Sequence, residues 1–436
     1  MRELPAGWAW GKMSEVAETS SGGTPSRREA AYFGGDIPWL KSGELQDGLV
    51  SAKTEEYLTR AGLDNCNAKV LDPGTVLVAM YGATTGRVGF MTMPAATNQA
   101  ICAIKAEDGI SPWFLFYLLL NLRPHLLSSR SGGAQPNISQ GLITNLRVPL
   151  PPQAEQRRIV AEIEKHLTRL DMVVEQLTAT RRKIAAFTTS VIRRATSAKP
   201  HWRIMKAADL CEFITKGTTP SADQLLAVGD IPYIKVNNLT FGGPLDFGRT
   251  RTFVRKHVHD NELARSKVLP GDVLMNIVGP PLGKVAVVPD SYPEYNINQA
   301  IARFRPVSGI EPHYLALLLR NQEILTWALS RAKTTAGQVN LTLELCRDLP
   351  LPIAPETEQR EIVTAVDAAI TLSENASAAI SAASIRAARL RQAILKKAFE
   401  GKLVPQDPND EPASALLERI RAARAHTPAR RAPRKR

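Results

Sequence analysis

Cysteine is scarce. The chain has four in 436 residues, Cys66, Cys102, Cys211 and Cys346, far apart and with no CxxC pair. That pattern excludes a zinc ribbon and a disulfide framework. No run of about 18 apolar residues occurs, and the Met1 end, MRELPAGWAWGKM, has no apolar signal core, so neither export nor a membrane anchor is expected. Asn137-Ile138-Ser139, Asn340-Leu341-Thr342 and Asn375-Ala376-Ser377 match the glycosylation triplet and are read as chance. The expectation is a soluble, reduced, cytoplasmic protein without a membrane partner.

Catalytic motifs are missing too. There is no Asp/Asn-Pro-Pro-aromatic loop to grip a flipped base and no Gly-rich cofactor turn; Asn276-Ile277-Val278-Gly279-Pro280-Pro281 comes nearest, with the wrong spacing. Gly279-Pro280-Pro281-Leu282-Gly283-Lys284 is one residue short of a phosphate-cradling loop and is followed by Val285. HExxH, a serine nucleophile elbow and a convincing acidic cluster for a metal nuclease are absent. His257 and His259 would share a strand face, but no Cys or acidic pair completes a site, so they are read as solvated. The chain is expected to hold no catalytic group, metal or cofactor.

Acidic residues run out before the end. After Glu418 come Arg419, Arg421, Arg424, Arg430, Arg431, Arg434, Lys435 and Arg436, eight of the +13 net charge, leaving +5 for residues 1–418. Much of the basicity is therefore expected in a tail, disordered after Thr427-Pro428, that touches phosphates without sequence preference.

What the chain does have is itself, twice. GGTPSRREAAYFGGDIPWL in the first half answers KGTTPSADQLLAVGDIPYI in the second. Thr24-Pro25 falls on Thr219-Pro220, Pro73-Gly74 on Pro270-Gly271, and Gly86-Arg87-Val88 on Gly283-Lys284-Val285. Asn98-Gln99-Ala100 falls on Asn298-Gln299-Ala300, Gln135-Pro136-Asn137-Ile138-Ser139 on Gln338-Val339-Asn340-Leu341-Thr342, and VPLPPQAEQRRIV on LPIAPETEQREIV. Two copies of this size read as tandem globular units rather than a solenoid.

Within each copy a Gly- and Pro-rich part precedes a helical one. Short apolar runs at 76–80, 88–91 and 100–104, and at 272–278, 284–288 and 300–304, read as strands; 111–122 and 311–329 read as one helix each, with Pro in the first turn. Residues 153–195 then lack Gly and Pro. Ile163, Leu167, Leu170, Val174, Leu177, Ile184 and Val191 follow 4-3 spacing, interrupted by Arg181 and Thr188. Val366, Ile370, Ile380, Ala387 and Ile394 keep the same phase, with Ser373, Ser377, Ser384 and Arg391 in the other slots. An amphipathic core helix would show such a stripe, but two long uncapped stretches after globular units favour a coiled coil.

Polar turns remain as candidates for chemistry. Lys41-Ser42-Gly43 follows one apolar strand, and Lys235-Val236-Asn237-Asn238 holds the same place in the second copy. Tyr81-Gly82-Ala83-Thr84-Thr85-Gly86-Arg87 stands opposite Val278-Gly279-Pro280-Pro281-Leu282-Gly283-Lys284. Lys and Arg suit guanine, and Asn suits adenine, in the major groove, so Lys41, Ser42, Tyr81, Thr84, Arg87, Lys235, Asn237, Asn238 and Lys284 are the candidate DNA contacts. The plainer alternative is turn-shaping Gly and Asn beside solvated cations. The shared Asn-Gln-Ala and Asp-Ile-Pro segments read as structural, since readers of different bases should differ.

Two units, each followed by a long helix entered through Pro149-Leu150-Pro151-Pro152 with Glu155-Gln156-Arg157-Arg158-Ile159-Val160, or Pro350-Leu351-Pro352 with Glu358-Gln359-Arg360-Glu361-Ile362-Val363, resemble the DNA-specificity subunit of Type I restriction–modification systems. Asn137-Ile138-Ser139, Asn340-Leu341-Thr342 and the ending Ala393–Pro408 are similar to that family as well. The second copy departs at Ile353-Ala354-Pro355, and the Arg-rich tail runs past the family-like ending. The resemblance implies an α+β chain with target recognition domains at 1–152 and 199–355, spacer helices at 153–198 and 356–404, and a C-terminal extension at 405–436. It implies helices packed as an antiparallel coiled coil with pseudo-twofold symmetry, whose length sets the unread gap between two half-sites. It further implies double-stranded DNA, two methyltransferase subunits and two motor-nuclease subunits as partners, with S-adenosylmethionine, ATP and Mg on those partners. A self-sufficient nucleic-acid enzyme and a coiled-coil scaffold without base reading are the alternatives.

Overall fold

The computed structural model describes residues 3–50, 53–128, 137–248, 251–279, 281–335 and 338–426. It divides into two units, residues 1–176 with 383–436, and residues 177–382, so each holds one globular part and a portion of both long helices.

In the first unit a five-stranded sheet runs in the order Ala17–Ser21, Ile101–Ala106, Val76–Ala79, Val88–Met91, Gly48–Val50, antiparallel except for the last pair. Successive residues point to opposite faces. Val76, Val78, Cys102 and Ile104 meet Phe114, Leu115 and Leu118 of the helix Pro112–Ser128, while Leu77, Ala79, Ile101 and Ala103 join Leu40 and Leu45 on the other side. Both faces are buried, which is why these strands read as unbroken apolar runs. The second unit repeats the plan with Cys211–Lys216, Ile301–Pro306, Val273–Asn276 and Val285–Val287 under the helix Pro312–Leu319.

A smaller sheet carries the repeated Asp-Ile-Pro segment. Phe33–Leu40 pairs with Glu56–Leu58 and Ala96–Thr97, and Ile231–Ile234 pairs with Phe253–Val254 and Tyr295–Ile297. The aromatic after the proline ties this sheet to the Gly-Thr turn: Trp39 Nε1 donates to the Gly23 carbonyl at 3.0 Å, and the Tyr233 hydroxyl to the Thr218 carbonyl at 2.8 Å. Glycine is required there in both copies. A Cβ on Gly22 would lie 1.9 Å from the Thr97 carbonyl oxygen, and one on Gly217 2.0 Å from that of Ile297. The Asn98 and Asn298 amides bond back to Leu40 and Ile234, at 2.9 and 3.1 Å.

Two expectations change. Residues 311–329 form not one helix but two, Pro312–Leu319 and Gln322–Leu329. Asn321 makes the break: buried, it accepts from the Glu323 amide at 2.7 Å and donates to Thr196 Oγ1 at 2.8 Å, ending one helix and capping the next. His257 and His259 lie on a helix, Lys256–Asp260, and His259 is fully buried rather than solvated. Its Nε2 meets Glu294 at 3.0 Å and its Nδ1 meets Asn296.

Each globular part is locked to its long helix by the Glu-Gln pair at the helix start. Glu155 accepts from Trp8 Nε1 at 3.0 Å, and Glu358 from Trp202 Nε1 at 3.0 Å. Gln156 Oε1 accepts the Ser111 amide, and Gln359 Oε1 the Glu311 amide, both at 2.9 Å. Those amides stand just ahead of the two domain helices, where no backbone carbonyl is in place to receive them. Ala9–Lys12 pairs with Arg147–Leu150, and Arg203–Lys206 with Pro350–Ile353, completing the same joint.

The long helices, Gln153–Thr196 and Glu356–Phe399, have 44 residues each. In the first unit Ile163 and Leu167 share a core with Ile394, Leu395 and Ala398, and Asp171 pairs with Arg391. In the second, Ile192 shares a core with Ile362 and Val366. In each unit the helices therefore run antiparallel, start of one beside end of the other. Val366, Ser373, Ala387 and Ile394 are buried at heptad spacing, while Ser377 of the same seam is half-buried and Ser384 exposed.

Part of the basic ending falls on a folded helix. Ala413–His426 is a helix that buries Leu416, Leu417 and Ile420 in the first unit's core. Arg421 pairs with Glu15 at 2.8 Å, Arg424 with Glu107, and Arg419 with Glu411. Three of the eight cations assigned to a phosphate-touching tail are thus engaged by the chain's own carboxylates. The other five lie outside the described residues, as does everything after His426.

Candidate nucleic-acid interface

In the first unit the strand Phe33–Leu40 delivers the chain into a short 3-10 turn, Ser42–Glu44. Glu44 folds back to accept the Lys41 amide at 2.8 Å and the Glu55 amide at 3.1 Å. The Lys41 ammonium meets Glu55 at 2.6 Å and Glu56 at 2.9 Å, and these two bonds hold its pKa above the ordinary lysine value. Arg27 then Lys41 hold the Glu56 carboxyl below the usual range. The Arg27 guanidinium also lies 4.7 Å from the Phe33 ring centroid.

The 81–87 loop is pinned against this turn. Thr84 Oγ1 donates to the Ser42 carbonyl at 2.8 Å, and Arg87 bonds to Gln46. Asp47, at φ 62°, accepts the Val88 amide at 3.0 Å and Arg123 at 2.6 Å, fixing the base of both loops. Lys41, Ser42, Thr84 and Arg87 thus come together. Tyr81 turns aside, its hydroxyl donating to the Gln99 carbonyl at 2.6 Å.

The second unit repeats this with different side chains. Val236–Asn238 is the matching turn, and Asn238 Oδ1 accepts the Lys235 amide at 2.8 Å as Glu44 does for Lys41. Asn238 is fully buried and its amide donates to the Asp246 carbonyl at 2.9 Å, so its side chain builds the turn. Asn237 is exposed. Lys235 Nζ stands 6.0 Å from the Tyr233 ring centroid, and Lys284 Nζ 5.8 Å from that of Phe241, an exposed aromatic three residues past the turn. Asn276 closes the facing loop, accepting the Lys284 amide at 2.9 Å and donating to the Pro281 carbonyl at 3.0 Å.

Each unit therefore presents two short loops bearing cations, hydroxyls or an amide; in the first they are tied by bonds from Thr84 and Arg87, and in the second Lys284 of one stands near Phe241 beyond the other. Surface ion pairs such as Lys41 with Glu55 are worth about 0–1 kcal/mol, so a phosphate or base edge can displace the carboxylate cheaply. Sequence reading missed Arg27, Gln46 and Phe241. Only Phe241, a lone aromatic before Gly242-Gly243, carried a signal. Among the described residues no cluster of His, Cys, Asp and Glu could hold a metal ion, and no helix is long and apolar enough to cross a membrane.

Comparison with known proteins gives concordant findings. The family model described as the Type I restriction modification DNA specificity domain matches residues 5–179 and 200–382. The Type I restriction enzyme EcoBI specificity subunit of Escherichia coli is 26% identical over 397 residues, covering 83% of this chain and 82% of that protein. The EcoKI specificity subunit of Escherichia coli strain K12 is 23% identical over 465 residues, covering 99% of each. A chain from a solved structure on complex assembly and conformational transition of the type I R-M system superposes with TM-score 0.75 at 22% identity, covering 92% of this chain and all of that one. The HsdS subunit of Thermoanaerobacter tengcongensis gives TM-score 0.55 at 23% identity, covering 92% and 98%.

Proposed function

The chain belongs to the Type I restriction modification DNA specificity family, and on that premise we propose that it is the non-catalytic subunit that reads a bipartite site in double-stranded DNA. Each globular part reads one half-site through its paired loops, with Lys41, Ser42, Thr84 and Arg87 in the first and Lys235, Asn237 and Lys284 in the second. Tyr81 stands at the margin of the first set, and Asn238 supports the second from beneath. The observation that carries this reading is the recurrence of one pair of loops at matched positions in both copies with unlike side chains. A shared fold with changed tips is what reading two different half-sites requires.

The long helices would serve as spacer and as the seat for two methyltransferase and two motor-nuclease subunits in the cytoplasm, which bring S-adenosylmethionine, ATP and Mg with them. The Glu-Gln joints support this, because they fix each reading part rigidly to the start of a helix. Single-molecule mapping of methylated adenines in host DNA, with and without this gene, is the test. Loss of one bipartite motif on deletion is the expected result. An unchanged set of adenine motifs would overturn the reading and favour a scaffold that binds DNA without regard to sequence.

A further inference from the structure

Ala103 and Arg303 hold one position in the two copies, each paired across the sheet with a leucine, Leu77 or Leu274. Ala103 packs in an apolar cluster. Arg303 is nearly as deep, 7% exposed, yet carries a guanidinium. Its Nη2 donates to Thr215 Oγ1 at 2.9 Å, Nη1 bonds to the Lys267 carbonyl, and the group lies 4.4 Å from the Phe213 ring centroid. All three partners are neutral, and Nε has no acceptor at all. Asp272, the carboxylate that acts on it from a distance, is taken by Arg305 in two bonds of 2.7 Å. A buried cation with neither a carboxylate partner nor a full set of hydrogen bonds is costly, and folds keep one where something else supplies the counter-charge.

Arg303 lines a cleft of 680 Å³ between the strand Cys211–Lys216 and the turn at 264–269. Four more cations stand around it, Lys216, Arg265, Lys267 and Arg305, the last spent on Asp272. Lys267 pairs with Asp260 at 2.7 Å, whereas Lys216 and Arg265 are exposed and make no ion pair among the described residues. Glu294 is the one carboxylate in the lining, and His259 occupies it at 3.0 Å. The cleft therefore keeps a positive surplus.

We propose that this cleft is an oxyanion subsite belonging to the second unit alone, that it takes a phosphate group, and that the group is a phosphodiester of the duplex being read. Arg303 supplies the buried charge, and Lys216 and Arg265 the exposed donors. The assignment to DNA rests on the function proposed above and on continuity. The strand Cys211–Lys216 runs into Gly217-Thr218, the Thr218 carbonyl receives the Tyr233 hydroxyl, and Tyr233 lies beneath Lys235 of the reading turn. The edge of the cleft at Thr218 is thus tied through buried Tyr233 to the loop that would read bases. Phosphate contacts of this kind fix register rather than sequence.

The test measures binding of the full chain to a duplex of scrambled sequence across a range of NaCl concentrations. Lys216→Ala with Arg265→Ala, both exposed and safe for folding, should lower the slope of log K against log salt by about 1.8, two contacts at about 0.9 each. A parallel arm follows the thermal midpoint with inorganic phosphate. An unchanged slope, with phosphate raising the midpoint of the parent chain and not of the variant, overturns the DNA source while keeping the oxyanion site. An unchanged slope and no phosphate effect overturns the site altogether. Failure of the parent chain to bind duplex counts against the proposed function instead, and the phosphate arm still decides the cleft.

Discussion

Replacing Gln359 with alanine should loosen the second unit where its long helix begins. The side chain is 1% exposed and makes three bonds: it accepts from the Glu311 amide at 2.9 Å and donates to the Ala354 and Gly309 carbonyls at 2.9 and 3.2 Å. Alanine leaves a buried amide and two carbonyls to find other partners. An unsatisfied buried group costs about 1–3 kcal/mol, and carbonyls relax more readily than amides, so the loss should be about 3 kcal/mol. At 1.4 kcal/mol per factor of ten, that is about a hundredfold faster amide exchange. Hydrogen exchange read by mass spectrometry over 309–319 and 354–366 is the assay, with residues 108–119 of the first unit as control. Gln359→Met keeps the volume and should lose nearly as much, separating hydrogen bonds from cavity. Exchange unchanged in the second unit, or accelerated equally in both, would refute the idea that this glutamine holds one unit's joint.

The joint's two glutamates should respond oppositely to acid. Lys199, His201 and Trp202 hold Glu358 down to about 2, so its contribution is present above the ordinary carboxylate range and is lost as pH falls toward that value. Burial pushes Glu155 up despite Gln406 and Trp8, so its ionisation opposes folding as pH rises. In melting curves taken from neutral to acid pH, Glu358→Gln should lower the neutral midpoint and flatten the acid loss, while Glu155→Gln should cost little or raise the neutral midpoint. Burial pushes the thiols of Cys102, Cys211 and Cys346 up to about 12, so mass spectrometry after brief alkylation of native protein should find Cys66, the half-buried one, labelled first. One heptad added to both long helices lengthens each by about 10 Å. The methylated motif should then keep its halves and gain about three base pairs of gap, at about 3.4 Å per pair.

Periodicity and repetition made the architecture readable. The strands at 76–79, 88–91 and 101–106 announce themselves because both faces of their sheet are buried, and the long helices because nothing in them breaks a helix. What stayed hidden depends on contacts between distant residues. Glu155-Gln156 is visible as part of a repeated motif, but that it grips Trp8 and Ser111 follows only once the helix start meets the sheet. Asn321 sits inside an apolar run and looks like a tolerated polar residue until Thr196 arrives beside it. Arg303 is one charge inside a short apolar run, with nothing local to show that it is buried, and His259 reads as a solvated histidine. The docked helix at 413–426 was obscured by its arginines, whose partners Glu15 and Glu107 lie some 300 to 400 residues earlier. The candidate loops were found because turn-rich polar segments recur at matched positions, yet the contact within each pair, through Thr84 or near Phe241, is a tertiary fact.

The claim that each copy reads its own half-site through its loop pair is tested most directly by mapping methylated adenines in cells carrying Asn237→Ala with Lys284→Ala. The account predicts that one half of the motif relaxes at one or two positions while the other half and the gap stay unchanged. Altered recognition in both halves, or a motif identical to that of the parent chain, would contradict it.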